Sequence, residues 1–326
     1  VSAAPATPVR ARRFGSLELF AAGAAALVLA RPAIAHLFER PALQSWATVF
    51  VAICLQALPF LVLGVTLAAL IAAFLPREAL ERLLPRNPAL AVPAAGLAGV
   101  ALPGCECASV PIAGRLIGGG APPAAALTFL LAAPAINPVV LVSTSVAFPG
   151  QSEMVAARFA ASLVTSVVVG WVWLRMGRTE WIERALHRHP PEASRAEVFR
   201  ASAVHDVLHA GGYLVVGALA AATLSTVVPR SVLEHIGGAG PLALLVTAGL
   251  AVALCICSEA DAFVAASLTD FNRTAKLVFM VVGPTVDLKL IAMQAGVFSR
   301  SFVLRFAPLT FAIAVTSAVL VSWVLL

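Results

Sequence analysis

Eleven apolar stretches follow one another along this 326-residue chain, at 17–38, 46–75, 89–104, 106–120, 122–148, 154–175, 206–228, 240–254, 258–269, 275–298 and 302–325. A bilayer's hydrocarbon core is crossed by about 20 apolar residues in a helix, so there is material for eight to eleven membrane elements. Water is excluded as the main solvent: 60% of residues are hydrophobic and 12% charged, against about 25% charged in soluble domains. Closed hydrogen bonding makes helices the natural way to carry such segments through lipid. The expected class is an all-α polytopic membrane protein.

The second set of stretches repeats the first. The run from Leu55, LQALPFLVLGVTLAALIAAFLPREALE, lies over the run from Leu208, LHAGGYLVVGALAAATLSTVVPRSVLE, with about eleven of 27 positions identical. Gly64 matches Gly217, Pro76 matches Pro229, Arg77 matches Arg230 and Glu81 matches Glu234. Further on, Cys105 and Cys107 match Cys255 and Cys257, and Phe129, Pro134, Asn137 and Phe148 match Phe279, Pro284, Asp287 and Phe298. An ordered series of Cys, Pro, Gly and Phe is hard to obtain by chance from Ala/Leu/Val text. The expected organisation is an N-terminal tail and first helix at 1–45, repeat A at 46–175, an Arg-rich cytoplasmic linker at 176–203 and repeat B at 204–326. Duplicated halves are a common build of secondary transporters.

Each half has three long stretches and two short ones flanking its C-x-C. Short pieces of about 12–16 residues reach only about 18–24 Å as helix, less than the hydrocarbon thickness. A short broken-helix hairpin that enters and returns on one side is expected. Three crossings per half then make the repeats inverted. With Arg10, Arg12 and Arg13 inside, the same count puts Arg77, Arg82, Arg86 and the 176–203 loop inside, as the positive-inside rule asks. Ala33-Ile34-Ala35 has the look of a signal-peptidase site, but Arg31 and Pro32 interrupt its approach; a retained first helix at 17–38 is expected.

Two charged, sulfur-bearing sites stand inside this apolar text. The first is Leu102-Pro103-Gly104-Cys105-Glu106-Cys107-Ala108-Ser109-Val110-Pro111, the second Cys255-Ile256-Cys257-Ser258-Glu259-Ala260-Asp261. On a helix, positions i and i+2 point about 200° apart; on extended backbone they share a face. Pro103, Gly104 and Pro111 favour unwinding there. A third element pairs Ala133-Pro134-Ala135-Ile136-Asn137-Pro138 with Gly283-Pro284-Thr285-Val286-Asp287-Leu288, two equivalent helix breaks. Ionisable groups within membrane segments mark substrate or ion paths. The candidate substrate-binding residues are Cys105, Cys107, Cys255, Cys257, Glu106, Ser109, Asn137, Ser258, Pro134 and Pro284, and the candidate ion- or proton-coupling residues are Glu259, Asp261, Asp287 and Lys289. The four paired cysteines are also the candidate ligands of a soft metal carried as substrate, since thiolates select soft ions.

Plainer readings compete. Cys54 reads as an inert small hydrophobe, and the paired cysteines have a packing alternative. Asn137 and Asp287 could serve as interhelical glue. His187, His189 and His205 read as solvated; His209 stands where the other half has Gln56, His36 and His235 stand near span ends. The net charge of +6 is scattered between apolar runs, without a basic, aromatic-interleaved face, so no nucleic-acid partner is expected. The chain lacks a P-loop and a dinucleotide fingerprint, and no cofactor is expected.

Cys105-Glu106-Cys107, Pro111, Arg115-Leu116-Ile117 and Leu131–Pro138, with Cys255–Phe263 and Gly283–Lys289, resemble the two signatures of the predicted permease family that includes ArsP-type organoarsenical exporters. The likeness covers about residues 46–325. The resemblance implies a permease of the inner membrane; arsenic-exporting members move trivalent organoarsenicals with membrane cysteines. The C-E-C here is closer to the broad branch of the family than to its arsenical branch. The expected function is a secondary permease, not an enzyme, for a thiophilic solute: a trivalent metalloid (hence metalloid resistance), a soft metal ion or a sulfur compound. Rival readings are a membrane thiol–disulfide protein and a non-transporting metal sensor or scaffold. The expected partners are the small solute and the lipid bilayer, with a homo-oligomer as a further option and the N-terminus in the cytoplasm.

Overall fold

The computed structural model describes residues 41–74, 85, 87–101, 106–178, 180–182, 195–227, 240–268 and 271–326. Residues 48–326 form one compact unit. The expected first helix at 17–38, together with Cys105 and residues 179 and 183–194 of the arginine-rich linker, falls outside the described residues.

The described helices are α1 (Pro41–Phe74), α2 (Pro88–Ala98), α3 (Glu106–Gly118), α4 (Pro123–Ile136), α5 (Pro138–Ala147), α6 (Ser152–Met176), α7 (Arg195–Val227), α8 (Pro241–Leu254), α9 (Asp261–Ser267), α10 (Arg273–Val282), α11 (Leu288–Val297) and α12 (Arg300–Leu325). No strand occurs among the described residues. The series α7–α12 repeats α1–α6 element by element: one long helix, two short ones, a broken pair, one long helix. Helix α7 begins at Arg195, inside the stretch expected as linker.

Local chemistry explains the boundaries. Five helices open with Pro at the first position, where its missing N–H costs nothing. Asn87, Asn137, Asn272 and Ser299 cap α2, α5, α10 and α12, each accepting a backbone N–H of the first turn. The expected span at 122–148 is divided at Asn137. The residue turns extended (φ −69°, ψ 160°), which re-aims the chain after it, and Pro138, the first residue of α5, has no N–H to continue the ladder. The Asn137 side chain repairs both sides of the break. Nδ2 donates to the Ala133 carbonyl at 3.0 Å, and Oδ1 accepts from Val140 N–H at 3.0 Å. In the other half Asp287 is likewise extended (φ −139°, ψ 168°) and caps α11.

Among the described residues, five stretches are long and apolar enough to cross a membrane: Pro41–Ile71, Pro123–Ala147, Ser152–Met176, Ala196–Thr223 and Arg300–Leu325. The α4–α5 stretch is the inner one, with 78% of its window buried against 24–44% for the others. The outer helices present Leu55, Leu58, Leu208, Leu304 and Val324 outward. Continuous exposed apolar faces on so many helices are stable in lipid and not in water.

Two packed regions flank a polar layer. In one, Trp173 of α6 meets Phe302 and Phe306 of α12 edge-on, with ring centroids 5.4 and 6.1 Å apart. The other gathers Phe148 and Met154 with Leu277, Phe279 and Met280 of α10 and Ala314 and Ala318 of α12. Gly64 and Gly217, matched in sequence, are both places of close approach: a Cβ at 64 would overlap Ala108 of α3, and one at 217 would stand 2.6 Å from Lys289 Cα of α11.

Candidate functional site

The polar layer is assembled from the ends of short helices. Glu106 and Cys107 are the first residues of α3, so this part of the first C-x-C is helical rather than extended. Pro111 sits inside that helix without ending it. The second C-x-C is unwound as expected: Cys255 to Cys257 lie outside any helix, between α8 and a turn leading to α9. Cys255 adopts the left-handed conformation (φ 49°, ψ 40°), the one non-glycine to do so among the described residues. Such a residue costs about 1–3 kcal/mol and persists where its surroundings hold it.

The Cys255 S–H donates to the Val252 carbonyl at 3.4 Å. The Lys289 ammonium is 3.9 Å from Cys257 Sγ, and Cys107 lies within its electrostatic reach. Cys257 thus lies beside Lys289, and Cys107 directly follows the Glu106 that pairs with it. All four described cysteines, Cys54 included, are free.

Lys289 is fully buried and charged groups close around it. Nζ pairs with Glu106 Oε1 at 2.5 Å and with Asp287 Oδ2 at 3.6 Å. Burying an ion costs several kcal/mol unless it is paired and hydrogen-bonded, and this cation has two carboxylates. A second centre lies on α6. Arg158, with no exposure, donates from Nη2 to Asp261 Oδ2 at 2.7 Å and to the Ser258 carbonyl at 3.0 Å. Its Nη1 donates to Thr144 Oγ1 at 2.8 Å. Each centre joins the two sequence repeats: Glu106 of the first to Lys289 of the second, Arg158 of the first to Asp261 of the second. A third such pair, Arg115 with Asp206, is bidentate at 2.9 and 2.7 Å and stands at the rim.

The candidates do not all converge. Glu106, Cys107, Cys255, Cys257, Ser258, Glu259, Asp261, Asp287 and Lys289 belong to one connected layer. Asn137 is occupied by its helix break. The Ser109 hydroxyl donates back to the Glu106 carbonyl at 3.1 Å. Pro134 and Pro284 are buried and act only through the backbone they bend. Arg158 and Thr144 were not among the candidates. An arginine in the middle of the 154–175 stretch was the signal for the first, by the same rule that singled out the acids; nothing in the sequence marked the threonine.

Several buried oxygens of the layer have no hydrogen-bond partner: Glu106 Oε2, Ser258 Oγ, Glu259 Oε2, Asp261 Oδ1 and Asp287 Oδ2. Buried polar atoms are rarely left so, and the group points to a place where a ligand, water or proton is received. Among the described residues no set of three or more His, Cys, Asp or Glu is arranged to hold a metal ion.

Residues 42–323 match a family described as a predicted permease, ArsP_1. The chain belongs to this family. It is 34% identical over 278 residues to the UPF0718 protein YcgR of Bacillus subtilis (strain 168), covering 83% of this chain and 94% of that one. It is 33% identical over 267 residues to a protein of Streptococcus mutans named as a two-component membrane permease complex subunit, covering 79% and 88%. No solved structure matches it. This ArsP_1 member is thus a multi-pass membrane protein of a transporter family, and its buried charged layer lies within the matched region.

Proposed function

We propose that this permease carries a thiophilic small solute — a trivalent metalloid or organoarsenical, a soft metal ion or a sulfur compound — as a secondary transporter of the inner membrane. The observation that carries the reading is a buried Lys289 that meets the Cys257 sulfur at 3.9 Å and the carboxylate of Glu106, the residue before Cys107, so that the two repeats bring their C-x-C segments to one ammonium. Sulfur donors in a buried charged layer select soft cargo, and the coupling role falls to Glu259, Asp261, Asp287 and Lys289.

The proposed working unit is a pair of inverted repeats. What supports inversion is where equivalent elements begin. The end of α6 and the start of α12 share one face, through Trp173 with Phe302 and through the Ser299 hydroxyl bonded to the Trp181 carbonyl at 2.7 Å. Helix α2 starts at that face, where Trp171 Nε1 donates to the Ala89 carbonyl at 3.0 Å. The far end of α12 lies beside the start of α10, with Thr274 Oγ1 and Ser322 Oγ 2.6 Å apart. Ala243 near the start of α8 packs there with Phe271 and Ala275. So α2 enters from one face and α8, its repeat, from the other. The hairpin reading is supported by length: α2 and α3 both pack on α4, and end to end they would outrun a 14-residue helix of about 21 Å. Arg115, Arg175, Arg178 and Arg200 gather toward the α2 face, which supports placing it in the cytoplasm.

The relative named as a subunit of a two-component complex extends the proposal to a partner membrane protein for this chain, to be sought by co-purification, with a homo-oligomer as the other outcome. The test of function is uptake into proteoliposomes, screened over trivalent arsenicals, soft metal ions and sulfur oxyanions. One class is expected to cross, and Cys107→Ser is expected to abolish its flux. Unchanged flux in that variant removes the thiols from the mechanism.

A further inference from the structure

The charged layer does not balance. Its described members include four carboxylates, on Glu106, Glu259, Asp261 and Asp287, and two cations, Arg158 and Lys289. Both cations are committed: Lys289 to Glu106 and Asp287, Arg158 to Asp261. Glu259 is the acid with no ion pair among the described residues. It is also the one that is partly exposed where the other three are buried.

Glu259 stands on the turn between Cys257 and α9, and charged groups from every side act on it. These are Glu106 of α3, Arg158 of α6, Asp261 of α9 and Lys289 of α11. Glu259 Oε2 is buried with no hydrogen-bond partner. Beside it Ser258 is fully buried, with its hydroxyl also unpartnered, and Asp261 Oδ1 is a third such atom. The turn therefore offers three uncommitted oxygens next to the sulfur of Cys257.

We propose that Glu259 exchanges a proton for a cationic cargo, and that Glu106, Asp261 and Asp287 serve as fixed partners of Lys289 and Arg158. The proposal rests on the permease reading above and narrows its substrate class to cations. An excess of two unneutralised carboxylates in a water-poor layer would cost several kcal/mol per charge. A proton or a cation must cover it, and the two compete for the same oxygen. When the cation arrives, the Glu259 carboxylic acid releases its proton to water and the carboxylate takes up the positive charge. When the cation leaves, a proton from water returns, one for each positive charge that carboxylate gives up. An anion such as a sulfur oxyanion would meet a net negative layer in which both cations are already engaged. The lack of a three-ligand cage among the described residues suits passage, since a transported ion must be bound weakly enough to leave.

The experiment is labelling of the full chain in lipid nanodiscs with dicyclohexylcarbodiimide, which modifies protonated carboxyls in apolar surroundings, read by peptide mass spectrometry. The expected adduct is on Glu259, absent in Glu259→Gln, and reduced several-fold by prior addition of Cd²⁺ but not by thiosulfate. An adduct confined to Glu106, Asp261 or Asp287, an unmodified Glu259, no protection by Cd²⁺, or protection by thiosulfate overturns the proposal. The labelling needs no flux. If no thiophilic solute crosses proteoliposomes while Glu259 is labelled and protected by Cd²⁺, the transport reading fails and the exchange site stands.

Discussion

The pair of Arg158 and Asp261 gives the sharpest energetic test. Both side chains are at most 1% exposed and their charged atoms are 2.7 Å apart. Arg158→Met keeps an unbranched apolar stem in the cavity, removes the charge, and leaves Asp261 facing the layer without a cation. It also strips the Ser258 carbonyl and the Thr144 hydroxyl of their donor. Removing one partner of a buried pair costs about 3–5 kcal/mol. At about 2–4 °C per kcal/mol for chains of 150–250 residues, the unfolding midpoint in mild detergent should fall on the order of 10 °C. Asp261→Leu alone strands the guanidinium and should cost a similar amount. The double variant Arg158→Met/Asp261→Leu leaves no charge behind. Since apolar replacement of a whole buried pair is often neutral or stabilising by about 1–4 kcal/mol, it should recover most of the loss. A double variant whose midpoint falls by the sum of the two single shifts, or single variants that unfold like the parent, would refute the claim that this pair is held by mutual compensation.

Three further outcomes follow from local geometry. Gly217→Ala places a methyl 2.6 Å from Lys289 Cα and should cost about 1–3 kcal/mol by forcing α7 from α11. Gly212→Ala on the same helix meets nothing within 4 Å and should be neutral or stabilising by up to about 1 kcal/mol; thermal unfolding of the two side by side checks both. Asn137→Ala removes a helix cap and the donor to the Ala133 carbonyl, an expected loss of about 1–2 kcal/mol. Asn137→Asp, which keeps the cap, should lose less in the same assay. For Arg115 and Asp206, whose side chains are 17% and 13% exposed, either alanine variant should cost about 1 kcal/mol after solvent screening, and the exchange Arg115→Asp/Asp206→Arg should recover part of it.

The sequence was informative where a constraint is local or duplicated. Length and polarity of the apolar runs defined the spans, and the Asn137/Asp287 match marked both helix breaks because each residue caps the helix that follows it. The mixture of thiols and acids marked the second C-x-C as a candidate site, while its unwinding was expected only by its match to the first, where Pro103 and Gly104 argued for a break. The helical state of Glu106 and Cys107 was not legible: Pro111 suggested a break, yet a proline in the second turn of a helix deprives only the Cys107 carbonyl of its bond. Pairing was the least legible part. The sequence left the partner of Lys289 open among Glu106, Glu259, Asp261 and Asp287. The shorter contact of Lys289 is with Glu106, 183 residues distant, and that choice depends on how α3 and α11 pack.

The asymmetry of the charges has a physical origin in the duplication itself. At the matched positions, Glu106 faces Ile256, Lys289 faces Val139, Arg158 faces Pro308 and Asp261 faces Pro111. None of the buried charges has a charged copy. Two related halves bring equivalent positions toward a shared centre, so a lysine kept in both would set one ammonium near another in a medium that screens poorly. Opposite charges can meet only at positions where the halves have diverged. Neutral devices carry no such penalty, and they are retained twice: the glycine contacts at 64 and 217 and the cysteines at 107 and 257, while the capped break keeps its cap in both halves but is charged in one only, Asn137 against Asp287. Scaffold and sulfur are thus symmetric while electrostatics are not. Glu259, whose counterpart is Ser109, is then a charge present on one side only, and the exchange proposed for it has a single site per chain instead of two.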